Sequence, residues 1–149
     1  MVTDRERLLE TIPKTGYNRF VMRYIGVDIV EIGRMKTAIN KWGAHFLNKM
    51  FTEREIKYSN SKRFCHQHFA ARFAAKEAVV KAFGGTNNFP IQWTDIEILN
   101  DGDGKPAVQF SGHAVKLKEK MNAAQVLLTI SHSKNYAVAN AMILAKGSR

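Results

Sequence analysis

A chain of 149 residues that is 45% hydrophobic is long and apolar enough for one domain with its own core, and disorder is excluded. The single cysteine, Cys65, excludes an internal disulfide and a multi-cysteine zinc site, and makes a reducing, cytoplasmic setting the default. No apolar run reaches the ~18 residues of a membrane helix, the charged first twenty residues lack a secretory core, and the formal charge of +10 predicts an anionic partner: nucleic acid, a membrane surface, a phosphorylated small molecule or an acidic protein.

Residues 1–21 read as an appendage, with a short helical turn around residues 7–11 before Pro13. Strong patterning starts after Met22, which could itself be a start. Residues 24–32, YIGVDIVEI, read as a β-branched strand that Gly33 ends. Asp28 lies in its middle, between Val27 and Ile29, where a carboxylate is costly to bury unless paired or bound to a cation. The alternative is an edge strand with Asp28 facing water. Residues 34–47 form an amphipathic helix with Met35, Ile39, Trp42 and Phe46 along one stripe. Thr52 followed by Glu55 is a capping box that starts a second helix. Cys65, His66 and His68 match no standard zinc spacing and are expected to lead into the next helix.

That helix, residues 69–83, is the centre of the chain. Alanine recurs at 70, 71, 74, 75, 78 and 82, and Gly84 and Gly85 supply a C-terminal stop. Its sides are mostly small or apolar, so burial is expected. Glu77 and Lys81 share one side, with Arg72 and Lys76 roughly opposite. Glu77, at the edge of a buried face, needs a partner: Lys81 or a metal. Residues 86–90 read as a loop, 91–99 as a strand, 100–106 as a Gly- and Asp-rich turn, and 107–110 as the returning strand of a hairpin. The turn fails as a calcium loop because Lys105 occupies a ligand position. Residues 111–121 form a helix capped by Ser111, and 126–130 and 136–144 are strands joined by a turn at 131–135 that carries His132. The order β, α, α, α, β, β, α, β, β gives an α+β class, a small antiparallel sheet against a long buried helix.

Asp28 and Glu77 are the acidic residues that packing explains least. Were the helix to lie on the strand's sheet, they would converge. Two carboxylates with open positions suit Mg²⁺, which keeps waters and takes phosphate oxygens, and Lys81 would reach the same phosphates. The phosphate loops GxxxxGK[ST] and GxGxxG are absent.

The residues Gly26-Val27-Asp28 with Arg34 six positions on, then the run from Arg72 through Lys76, Glu77 and Lys81 to Gly84, then Asp103 to Pro106, then Ser131-His132, occur in one order. In this the chain from about Met22 onward resembles the stand-alone 4′-phosphopantetheinyl transferases, the holo-[acyl-carrier-protein] synthase family. The resemblance implies that fold, with residues 22–149 as the domain and 1–21 as an extension. It implies transfer of 4′-phosphopantetheine from coenzyme A to a serine of apo acyl carrier protein, with release of adenosine 3′,5′-bisphosphate, in fatty acid biosynthesis. It further implies Asp28 and Glu77 as Mg²⁺ ligands, Lys81 as the phosphate contact, and Arg72, Lys105, Pro106 and His132 beside coenzyme A. Arg34 would dock the acidic carrier protein, and the chain would form a homotrimer with sites across subunit boundaries. The basic excess then serves two anionic substrates. The competing readings are a basic nucleic-acid-binding module, which leaves Asp28 and Glu77 unexplained, and a trimeric scaffold with a decayed site.

Overall fold

The structure is a computed structural model that describes residues 20–85 and 90–147. Its elements are β1 (Phe20–Glu31), α1 (Ile32–Met50), α2 (Glu53–Asn60), α3 (Cys65–Ala82), β2 (Ile96–Asn100), β3 (Pro106–Phe110), α4 (Gly112–Lys120), β4 (Ala123–His132) and β5 (Tyr136–Lys146). The order is that expected from the sequence. β1, β5 and β4 form an antiparallel sheet in that order, and β2 pairs with β3 in a separate hairpin. The expected helical turn at 7–11 and most of the 86–90 loop lie outside the described residues.

α3 crosses the sheet and is buried along nearly its whole length, from Phe69 to Ala82. It meets β5 at Ala137, Ala139 and Ala141, all at most 1% exposed. Small residues on both partners let the helix lie close to the sheet. Above α3, Ile96, Ile98, Ala114 and Leu117 close one core, while Met35, Phe51, Phe69 and Ala70 form another at its N-terminal end. Gly84 and Gly85 stand at φ 85° and 88°, and the Gly85 amide donates to the Val80 carbonyl. The expected glycine stop is thus a left-handed C-terminal cap.

Several boundaries differ from the sequence reading. β1 begins at Phe20, with Phe20 and Val21 paired to Lys146 and Ala145. Gly33 does not end the strand but lies in the first turn of α1. α1 runs on to Met50, and Gly43, at φ 53° and ψ −134°, is non-helical, so the element is two helical segments joined at a kink. α3 starts at Cys65, so Cys65, His66 and His68 form its first turn. The strand expected at 91–99 starts only at Ile96. Residues Trp93–Asp95 form a 3₁₀ turn instead, with the Gln92 amide donating to Asp95 Oδ2. β4 reaches His132, placing it in the strand and not in the turn. Ser111 occupies the N-cap of α4 without a side-chain capping bond. Thr52 and Glu55 do form the capping box.

A buried ion pair ties these layers together. Lys76 Nζ lies 2.7 Å from Glu55 Oε2, with both side chains fully buried. Glu55 Oε1 accepts from the Ile98 amide at 2.9 Å, its Oε2 accepts from the Thr52 amide at 2.8 Å, and Lys76 also donates to the Trp93 carbonyl at 2.9 Å. One carboxylate therefore caps α2, anchors β2 and neutralises α3. Burial holds Lys76 below its ordinary value, and the Glu55 carboxylate offsets this only in part.

Candidate active site

β1 is an edge strand, as one sequence alternative had it, but Asp28 does not simply face water. Along β1 the outward residues are Ile25, Val27 and Ile29, and the inward ones are Gly26, Asp28 and Val30. Asp28 thus points to the α3 side, with its side chain 15% exposed. Lys81 Nζ donates to Asp28 Oδ1 at 2.7 Å and to the Val27 carbonyl at 3.2 Å. The partner Lys81 takes is therefore Asp28, on another element.

Glu77, one turn before Lys81, is half-buried. Its pKa is raised above 4.5, first by burial and then by the charge of Asp28, with Lys81 opposing. Two carboxylates close enough to repel, with Lys81 as the charge that opposes the repulsion among the described residues, form a site short of positive charge. Lys81 itself is held above its ordinary value, chiefly by the hydrogen bond to Asp28. Among the described residues no group of three or more His, Cys, Asp or Glu is placed to hold a metal. The donor set is two carboxylates with open positions, which fits a hard divalent cation that retains water or takes phosphate oxygens.

Arg72 stands apart from this cluster, about 140° around α3 from Glu77. It is buried, its guanidinium lies 3.9 Å over the Tyr58 ring, and its Nη2 donates to Asn100 Oδ1 at 3.1 Å. Its buried Nε has no hydrogen-bond partner among the described residues. Asn100 in turn donates to the Gly104 carbonyl at 2.8 Å, and Asp101 Oδ1 accepts from the Asp103 and Lys105 amides. Arg72 is thereby tied to the turn that carries Lys105 and Pro106. His132 is exposed at the end of β4 and lies close enough to His68 for its charge to help depress the His68 pKa, behind burial, Arg72 and Lys62. Arg34 projects from the first turn of α1 and is exposed. Within one chain, then, Asp28, Glu77 and Lys81 converge, while Arg72, His132 and the Lys105 turn gather on a different side of α3.

Sequence reasoning passed over the pairing of Glu55 with Lys76 and the burial of Arg72 against Tyr58. Both join residues far apart in the chain. The one signal for such a partner is the place of Lys76 in a helix whose sides are mostly small or apolar.

The chain matches the model of the 4′-phosphopantetheinyl transferase superfamily over residues 24–141. It is 45% identical over 119 residues to the holo-[acyl-carrier-protein] synthase of Natranaerobius thermophilus, covering 80% of this chain and 94% of that protein. The crystal structure of holo-[acyl-carrier-protein] synthase from Neisseria meningitidis superposes with a TM-score of 0.76 at 28% identity, over 83% of this chain and 98% of the other. The Bacillus anthracis enzyme, solved in complex with CoA (3′,5′-ADP), superposes with a TM-score of 0.69 at 32% identity, over 86% and 100% of the two chains. With the fold, the order of motifs and these relatives in agreement, the chain belongs to the 4′-phosphopantetheinyl transferase superfamily, on its holo-[acyl-carrier-protein] synthase branch.

Proposed function

We propose that this protein transfers 4′-phosphopantetheine from coenzyme A to a serine hydroxyl of apo acyl carrier protein, using Mg²⁺ held by Asp28 and Glu77. The convergence of Asp28, Glu77 and Lys81 where β1 meets α3 supports this reading most strongly. The serine hydroxyl releases its proton to solvent as its oxygen forms a bond to the phosphorus that carries the pantetheine arm. The bond from that phosphorus to the bridging oxygen breaks, and adenosine 3′,5′-bisphosphate leaves with that oxygen. When bound, Mg²⁺ supplies positive charge to the diphosphate oxygens. Asp28 and Glu77 are the residues that would hold it. Lys81, kept protonated by Asp28, presents a cation to the same oxygens and can return a proton to the leaving group.

Lys105 and Pro106, on the turn that buried Arg72 braces through Asn100, hold the nucleotide end of coenzyme A, His132 lies near coenzyme A, and exposed Arg34 docks the acidic carrier protein. These residues do not gather around Asp28 and Glu77 in one chain, so the complete site needs a second copy. The outer sheet face fits that requirement. Ile25, Val27 and Ile29 on β1, Leu127 on β4 and Tyr136 and Val138 on β5 are exposed, forming an apolar face on the side away from α3. We assign that face to contact between copies in a homotrimer. The catalytic domain then lies in the cytoplasm and starts at residue 20 instead of 22, because Phe20 and Val21 pair into β1, which leaves 1–19 as the extension. Among the described residues no helix is long and apolar enough to cross a membrane. A nucleic-acid role is disfavoured, since two half-buried carboxylates would repel phosphates without a bound cation. The reading is tested by incubating apo carrier protein with coenzyme A, Mg²⁺ and this protein. It requires the carrier to gain the mass of one phosphopantetheine group, and an unchanged mass with carriers from several pathways would refute it.

A further inference from the structure

We propose that Gly26 is a positioning residue that sets the spacing of Asp28, Glu77 and Lys81 by letting the backbone of α3 rest directly on β1. The inference rests on the reading of Asp28 and Glu77 as the metal-holding pair. A Cβ at position 26 would collide with the Ala78 carbonyl oxygen and would lie 2.6 Å from the Ala82 amide nitrogen and 3.1 Å from the Ala78 carbonyl carbon. These are main-chain atoms, so no rotamer change relieves the collision and the helix itself must move. Asp28 is two residues along β1 and on the same side as Gly26. Glu77 and Lys81 immediately precede Ala78 and Ala82, the two residues whose backbone Gly26 touches. The contact that admits α3 and the groups that meet across it therefore belong to the same two turns of helix. Among the described residues, nothing comes within 4 Å of a Cβ placed at Gly33, Gly43 or Gly102, and at Gly112 the obstacle is the Asp95 side chain and not main chain. Gly26 has its β5 partner in Ala141, which is fully buried and continues the small surface beneath α3.

The role is read from metal binding, separately from turnover. Mn²⁺ serves as the probe, and free Mn²⁺ is followed by electron paramagnetic resonance with coenzyme A present and carrier protein omitted. Gly26→Ala should weaken Mn²⁺ binding by about 10–100-fold, the range typical of residues that orient metal ligands. Ile143→Val is the control, a core change that lowers stability without adding bulk beneath α3, and its affinity should match wild type. Ala141→Ser is measured in parallel as a milder wedge at the neighbouring strand, so the question is decided even if Gly26→Ala fails to fold. It should weaken binding in the same direction. Wild-type affinity in folded Gly26→Ala, or in Ala141→Ser where Gly26→Ala does not fold, would overturn the positioning role. Loss of affinity in Ile143→Val equal to that in Gly26→Ala would also overturn it, by reducing the effect to stability. A wild-type protein that binds no Mn²⁺ would overturn the metal reading itself, and with it this inference.

Discussion

Lys81 joins α3 to the edge strand β1 by donating to both Asp28 Oδ1 and the Val27 carbonyl. An exposed lysine ordinarily contributes little through such a pair. Its value here is placement, because the same contact holds Asp28 beside Glu77. Lys81→Ala should therefore reduce transfer by about 10²–10³-fold, as loss of a preorganised charge does, while circular dichroism and the melting temperature stay close to wild type. A variant with full activity would remove Lys81 from the chemistry.

Asp28→Ala and Glu77→Ala should each abolish Mg²⁺-dependent transfer and leave the fold intact. The check is the initial rate across a Mg²⁺ titration for each variant. Full activity in either one would contradict a site made of two carboxylates.

Glu77 also makes a prediction about pH. Burial and Asp28 raise its folded-state pKa above the ordinary 4.5. The folded protein then binds this proton more tightly than the unfolded chain. Stability from Glu77 is fully present below 4.5 and is lost as pH rises through the raised value. In metal-free protein Glu77→Gln should therefore raise the melting temperature at neutral pH, with the gain vanishing below pH 4.5. Melting curves in EDTA across this range give the result. Added Mg²⁺ should narrow the gain by stabilising only the wild type.

The Glu55–Lys76 pair is fully buried, with other hydrogen bonds on both partners. Lys76→Ala leaves Glu55 charged and unpaired, and should cost about 3–5 kcal/mol of folding stability. Urea denaturation measures this directly. A loss below 1 kcal/mol would mean that Glu55 finds water or takes up a proton at little cost.

The assembly prediction concerns the outer sheet face. Ile29 is 64% exposed in the single chain, so Ile29→Glu should leave the monomer's core untouched. Size-exclusion chromatography with light scattering should show a trimer for the wild type and a smaller species for the variant. Activity should fall with the loss of assembly, because Arg72 and His132 lie away from Asp28 and Glu77 within one chain.

The readable part of this fold was local. The alanine run and paired glycines marked α3, and Thr52 with Glu55 marked the start of α2, because both signals act within a few residues. Asp28 and Glu77 stood out by their cost in apolar surroundings. The partners were hidden. Glu77 and Lys81 share a helix side, yet Lys81 reaches Asp28, a choice set by how closely α3 meets β1. Gly26 looked like a strand glycine until the helix backbone was seen against it. β5 carries apolar residues on both faces, with Asn140 the one interruption of the outer face before the terminal Lys146, so its sequence marks only weakly which side meets α3 and which lies open. His132 lies past Ile130, the last apolar position of β4, so the sequence pattern points to a turn although the strand continues through Ser131 and His132.

The measurement that tests the central claim most directly is intact-mass spectrometry of apo acyl carrier protein after incubation with this protein, coenzyme A and Mg²⁺, alongside an EDTA control. The account predicts a mass gain of one phosphopantetheine group that disappears with EDTA. No gain with any of several carrier proteins, while coenzyme A still binds, would contradict it, and a gain undiminished by EDTA would contradict the metal site of Asp28 and Glu77.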